Sequence, residues 1–156
     1  MLARMGVLYD YFAASSDEVA ATVIELPGGP GAAAGRSFDT VTGNGVDPVV
    51  QMGTLEALLT GRDYDEILQG HHRTGTIVAA RNDGQQLVVT LTGELQAALS
   101  QADHGRLAAV AVPWLQTEEF SGQDDPGIAA PWLDELAGLA RRATTQGERL
   151  YCWVCA

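Results

Sequence analysis

Two adjacent histidines, His71 and His72, are the residues whose types most directly suggest chemistry. Imidazole titrates near neutral pH, so such a pair can bind a metal or move protons. The chain has one further histidine, His104, and spacing alone identifies no partner for the pair. A polar loop with structural histidines is the favoured interpretation. The alternative is an enzymatic pocket that combines His71 and His72 with Tyr9 and Asp10.

The two cysteines, Cys152 and Cys155, form a C-x-x-C pattern that is typical of redox and zinc sites. Redox pairs lie at the start of a helix, where the helix dipole lowers a thiol pKa. This pair lies in a predicted strand, where positions i and i+3 point to opposite faces. The sequence has no second ligand pair for zinc. We therefore predict two buried core thiols, no metal and no cofactor.

A stretch rich in glycine and proline, residues 27–35, superficially resembles a phosphate-binding loop. The phosphate-binding motif is Gly-x4-Gly-Lys-Ser between a strand and a helix. Here Pro30 occupies the first glycine position, Arg36 replaces the lysine, and the stretch follows a predicted helix. The dinucleotide motif fails as well, because Ala34 stands at its third glycine. The pattern favours a flexible surface loop.

Four acids occur close together in a segment rich in turn residues, and they are Glu118, Glu119, Asp124 and Asp125. Their order lacks the alternating ligands and the glycine of a calcium loop, so no metal is predicted here. An exposed acidic loop can instead attract a basic protein. These four acids, with Tyr9, Asp10, His71 and His72, are the candidate binding residues.

The elements that must position these residues are clearest at the C-terminus. An apolar stripe with steps of three and four residues predicts a helix with Pro131 in its first turn and Gly147 at its end. The stripe is Trp132, Leu133, Leu136, Leu139, Ala140 and Ala143. The following strand, residues 150–155, is apolar on both faces. Such strands are usually covered on both sides, which predicts a central position in the sheet.

The remaining elements follow from caps and turns. Residues 5–12 read as a strand, and a capping box at residues 15–18 opens a helix. A second helix runs from Pro48 to Thr60, before Gly61. The Asn-Asp-Gly sequence at 82–84 predicts a hairpin between residues 76–80 and 86–91. Thr92 and Asp103 are predicted to cap two further helices, and Pro113 is predicted to break or restart the second. The prediction is one α+β domain, residues 1–156. Its sheet is small and mixed, with the C-terminal strand at its centre and helices covering it.

Composition limits the classes of function. The chain has 156 residues, an apolar fraction of 46% and a formal net charge of −11. No segment reaches the roughly 18 consecutive apolar residues of a membrane helix. Nucleic-acid binding would need a basic face, and the sequence has no such cluster. The first residues do not resemble a secretory leader, so we expect a cytoplasmic protein.

The order of several segments resembles the YfbM-like family of small bacterial proteins. The matching features are Met5-Gly6 opening a strand that contains tyrosine, Leu91-Thr-Gly-Glu-Leu95 starting a helix after a strand, and the closing helix and strand from Leu136 to Val154. The compact Asn-Asp-Gly hairpin and the loop at 27–35 depart from the family. The resemblance implies an α+β fold, and it implies no catalytic residue.

The sequence favours a binding protein over an enzyme, because no complete active-site motif appears. The leading hypothesis is a protein similar to an immunity protein or antitoxin, docking a basic protein partner. The alternative is a small hydrolase or transferase with its pocket near Tyr9, Asp10, His71 and His72. A role without such a partner also remains open.

Overall fold

The protein folds around one five-stranded antiparallel sheet. The computed structural model describes residues 7–26, 28–31, 38–43, 45–70, 75–117 and 126–156. The strands are Leu8–Ala14 (β1), Thr40–Thr42 (β2), Ile77–Arg81 (β3), Gln86–Thr90 (β4) and Arg149–Cys155 (β5), in the spatial order β2-β1-β5-β4-β3. The helices are Asp17–Ala21 (α1), Val50–Thr60 (α2), Tyr64–Gly70 (α3), Gly93–Gln101 (α4), His104–Leu115 (α5) and Pro126–Thr145 (α6). A 3₁₀ turn, Thr22–Glu25, continues α1.

The C-terminal strand β5 is central, which confirms the predicted α+β architecture. It lies between β1 and β4, and its side chains alternate between two buried layers. Cys152 belongs to a large core formed with α2, α4, α5 and α6. Tyr151 and Trp153 belong to a smaller core on the other face, formed with α1 and the 3₁₀ turn. Both faces of β5 are therefore covered.

The sheet is antiparallel at every pair of strands, whereas a mixed sheet was expected. The pairing of β1 with β5 runs from Leu8 opposite Cys155 to Ala14 opposite Arg149. Strand direction depends on the end of the sheet at which the chain re-enters. Hydrophobic patterning identifies a strand and its buried faces, but it does not encode that direction.

Several local predictions are confirmed by the backbone. Asp83 and Gly84 have φ of 56° and 86°, as the two central positions of a tight hairpin turn require. The backbone N–H of Gln85 donates to the carbonyl of Asn82 at 3.1 Å. The left-handed Gly61, with φ of 75°, ends α2. The side chains of Thr92 and Asp103 accept hydrogen bonds from the third backbone N–H after each cap, at 3.0 and 2.8 Å. In the described part of the chain, no helix is long and apolar enough to cross a membrane.

Two prolines behave differently from the prediction. The last helix begins at Pro126 and includes Pro131, and α5 continues through Pro113 to Leu115. Both internal prolines are exposed, so the backbone disturbance that they cause faces solvent. Buried contacts on the opposite side hold the helices. The indole N–H of Trp132, for example, donates to the carbonyl of Thr42 at 2.7 Å.

The glycine-rich stretch is not a free surface loop where the structure describes it. Gly29 and Pro30 are buried, and the backbone N–H of Phe38 donates to the carbonyl of Pro30 at 3.1 Å. Gly29 has φ of +89°, and a Cβ there would lie 2.7 Å from the ring of Trp153. Composition suggested flexibility, but the missing side chain instead allows the backbone to approach β5 closely. Residues 27 and 32–37 lie outside the described part.

We therefore expect Gly29→Ala to lower the free energy of unfolding by about 2–4 kcal/mol. The change combines left-handed strain with a clash against a packed indole ring. Gly45→Ala is the matched control, because Gly45 has φ of +78° and a Cβ there meets no described atom within 4 Å. Urea unfolding should show a loss of only about 1 kcal/mol for the control. Equal losses in both variants would contradict packing of this loop on Trp153.

Candidate functional site

Of the predicted site residues the structure describes only Tyr9 and Asp10, and it does not bring these two into one pocket. Tyr9 and Asp10 are neighbours on β1 and therefore point to opposite faces of the sheet. Tyr9 packs against the large core, and Asp10 lies opposite Trp153 of the smaller core. The other candidates lie outside the described residues, and they are His71, His72, Glu118, Glu119, Asp124 and Asp125.

The two described candidates differ in their surroundings. Partial burial raises the pKa of Asp10, and the backbone N–H of Gly43 partly opposes that shift by hydrogen bonding. Burial, followed by the negative charge of Asp47, raises the pKa of the Tyr9 hydroxyl. Neither shift activates a proton donor or acceptor at a shared position, because the two side chains lie on different faces.

The cysteines point to opposite faces, as predicted, and both are free thiols. Cys152 is fully buried in the large core, and burial raises the pKa of its thiol well above the usual range. Cys155 is half-buried against the smaller core. The expectation of two buried thiols therefore holds for Cys152 and only in part for Cys155. The described residues also contain no group of three His, Cys, Asp or Glu side chains that could hold a metal.

A buried carboxylate that sequence reasoning missed lies at the junction of α2 and α4. Glu56 is 2% exposed, and its Oε1 accepts a hydrogen bond from the Thr92 hydroxyl at 2.7 Å. The guanidinium of Arg62 lies 3.7 Å from Oε2. Burying a charge costs free energy unless the charge is paired and hydrogen-bonded. The contacts with Thr92 and Arg62 therefore offset the cost of burying this carboxylate. The sequence held a signal, because Glu56 follows Met52 by four residues and shares its buried face.

Thr92 connects this carboxylate to the start of α4. Its hydroxyl oxygen accepts the backbone N–H of Leu95 at 3.0 Å and donates to Glu56. The same hydroxyl therefore caps α4 and donates a hydrogen bond to one carboxylate oxygen on α2. A cavity of about 10 Å³ beside them is lined in part by Glu56, Thr90, Thr92 and Gly75. That volume is close to what one water molecule needs.

An open groove of about 580 Å³ lies above this cluster, between the end of α2, α4 and the start of α5. Arg62 reaches from the groove to Glu56, so the groove and the buried carboxylate share one residue. The groove walls also contain Arg106, Glu94 and Asp103. Another groove, of about 610 Å³, lies on the other side of α4 and includes Ser100 and Thr144. The groove beside Arg62 has the greater concentration of charged groups, so it is the stronger candidate for ligand binding.

We expect Thr92→Val to reduce the free energy of unfolding by about 2–4 kcal/mol. The loss of the cap costs about 1 kcal/mol, and the loss of a hydrogen bond to a buried acceptor costs about 1–3 kcal/mol more. Thr92→Ser is the control, since serine keeps the hydroxyl, and it should cost less than about 1 kcal/mol. Chemical denaturation measures both. Similar losses for Val and Ser would mean that the methyl group, not the hydrogen bonding, matters.

The raised pKa of Asp10 gives a pH-dependent prediction. The folded state retains this proton to higher pH than the unfolded chain, so ionisation of Asp10 lowers stability as pH rises above about 4. Asp10→Asn should therefore be stabilising at pH 7, by less than about 1 kcal/mol because solvent screens a half-exposed group. The gain should shrink as pH falls towards 4. Asp83→Asn controls for the lost charge, and equal effects of the two variants at every pH would disprove the assignment.

Comparison with known proteins identifies no relative. No protein-family description, no curated protein and no solved structure matches this chain. The resemblance to the YfbM-like family therefore stays a prediction. The assignment of function depends on the chain's own residues.

Proposed function

We propose that this chain is a non-catalytic protein that binds a basic protein partner through acidic side chains, as an immunity protein or antitoxin does. The proposal is supported by a formal net charge of −11 together with the exposure of ten of the sixteen acids in the described part of the chain. An excess of exposed carboxylates creates a negative potential that attracts a positively charged surface.

The observation that carries this proposal is the local charge at the start of α3. Asp63, Asp65 and Glu66 are exposed within four successive positions, and we call them the α3 acidic surface. Arg62 precedes them, but its guanidinium contacts the buried Glu56. Among the described residues, Asp65 and Glu66 make no ion pair. Their negative charge is therefore available to a partner.

The placement of Tyr9 and Asp10 also supports binding over catalysis. The alternative, a small hydrolase or transferase, would use Tyr9, Asp10, His71 and His72 in one pocket. A pocket on one face of the sheet can include only one of Tyr9 and Asp10, because strand alternation separates them. A docking role requires no such convergence.

The experiment begins with capture of the partner from the native host, its identification and its separate expression. Association rates are then measured across a salt series for wild type and two charge variants. One variant is Asp65→Asn/Glu66→Gln, which keeps Asp63 because its carboxylate accepts the backbone N–H of Glu66 at 3.4 Å. The other neutralises Glu118, Glu119, Asp124 and Asp125 together. The matched control, Glu18→Gln/Asp83→Asn, removes two exposed charges elsewhere.

At low salt, we expect at least one of the two charge variants to associate about tenfold more slowly than wild type, while the control changes little. The rate for wild type should fall steeply with ionic strength, because salt shortens the range of the attraction. A partner without a basic surface, or rates that depend on neither salt nor the variants, would refute the proposal. Circular dichroism checks that every variant retains its fold.

A further inference from the structure

The groove beside Arg62 combines an apolar floor with charges of both signs. Its volume of about 580 Å³ lies within the range of small-molecule sites. The apolar part of its wall comes from Leu59, Ala97, Ala98 and Ala102. Small side chains along α4 leave room for the apolar body of a ligand.

Two arginines of the groove are held by the protein itself. The Nη2 of Arg106 donates to the carbonyls of Leu58 and Leu59, at 3.1 and 3.4 Å, at the end of α2. The guanidinium of Arg62 is held near Glu56, with Nη1 and Oε2 3.7 Å apart. A guanidinium fixed by such contacts needs less ordering when it binds a carboxylate, for which its planar fork is well suited.

Two carboxylates line the same groove. Glu94 lies in the first turn of α4, and Asp103 caps α5. With Arg62 and Arg106 they give the groove lining two groups of each sign, with the buried Glu56 beside Arg62, whereas the chain as a whole is strongly acidic. The overall negative charge opposes an anionic ligand, and the arginines oppose a purely cationic one. A molecule with one charge of each sign avoids both penalties.

We propose that this groove binds a small zwitterionic molecule with an apolar body, of the class of free α-amino acids. The ligand carboxylate is held by Arg62 and Arg106, its ammonium group by Glu94 and Asp103, and its apolar part lies over the alanines of α4. This site is independent of the proposed docking of a basic protein, which uses other acids.

The test compares three probes by two-dimensional NMR with the intact chain. L-phenylalanine carries both charges, phenethylamine carries only the ammonium group, and 3-phenylpropionate carries only the carboxylate. We expect L-phenylalanine to shift the signals of α4 with Kd of about 1 mM or lower. Each analogue should bind at least tenfold more weakly. No saturable binding of L-phenylalanine up to about 10 mM, or equal binding of all three probes, would overturn the proposal.

Variants locate the site and separate its charges. Ala98→Leu fills the floor of the groove and should weaken the binding of L-phenylalanine at least fivefold. Ala109→Leu, on the exposed side of α5, should leave that binding unchanged. Glu94→Gln should weaken the binding of L-phenylalanine about fivefold. The binding of 3-phenylpropionate should not weaken, since only L-phenylalanine carries an ammonium group. An unchanged affinity for L-phenylalanine in Ala98→Leu would place the binding elsewhere. Equal losses of affinity for L-phenylalanine and 3-phenylpropionate in Glu94→Gln would have the same meaning. Thermal melts confirm that each variant is folded at the temperature used.

Discussion

Burial of β5 on both faces is the constraint on which the rest of this structure depends. Cys152 faces the large core, and Tyr151 and Trp153 face the smaller one, with all three nearly inaccessible to solvent. A strand without a solvent face needs a layer on each side, so helices must cover the sheet twice. The smaller layer consists of one short helix and a 3₁₀ turn, which cover less of the strand. The backbone at Gly29 packs against the ring of Trp153 and so adds to the cover that this layer gives β5.

Polar contacts then fix how the helices of the larger layer meet. The Thr92 hydroxyl connects α4 to the buried carboxylate of α2, and the side chain of Arg141 donates to the carbonyls of Ser100 and Ala102 at 3.2 and 2.5 Å. Hydrophobic contacts are tolerant of small shifts, whereas a buried polar group is satisfied at few positions. These hydrogen bonds therefore specify the arrangement of helices that the apolar stripes only favour.

Sequence reasoning worked where the determining interaction is local. The positive φ angles of Asp83 and Gly84, the cap at Thr92 and the stop at Gly61 each depend on a few neighbouring residues. The central position of β5 was also predictable, because a strand that is apolar on both faces has few other places in a domain. The direction of strand pairing and the course of α6 through Pro131 depend on contacts distant in sequence, so local patterns could not give them.

The candidate site was less predictable for the same reason. The spacing of Glu56 from Met52 indicated a buried face, but Arg62 matters only because it lies between that carboxylate and a groove, which no sequence pattern shows. Tyr9 and Asp10 point to opposite faces of β1 by strand alternation, a rule that was available from the sequence. Adjacent positions on a strand should not be assigned to one site without a bulge between them.

The use of arginine links the fold to the proposed functions. Arg81, Arg106 and Arg141 each donate to backbone carbonyls, and Arg142 forms a two-bond ion pair with Asp39 at 2.6 and 3.0 Å. These cations thus serve internal contacts, many at helix ends where carbonyls lack partners. A guanidinium that donates to a neutral carbonyl keeps its positive charge, so the formal net charge of −11 follows from nine bases against twenty acids. Arg106 lines the groove together with Arg62, which is held near Glu56, so internal contacts hold two cations beside the two acids Glu94 and Asp103. The mixed charge of the groove is therefore a consequence of where the chain holds its arginines, whereas the net negative charge follows from the excess of acids.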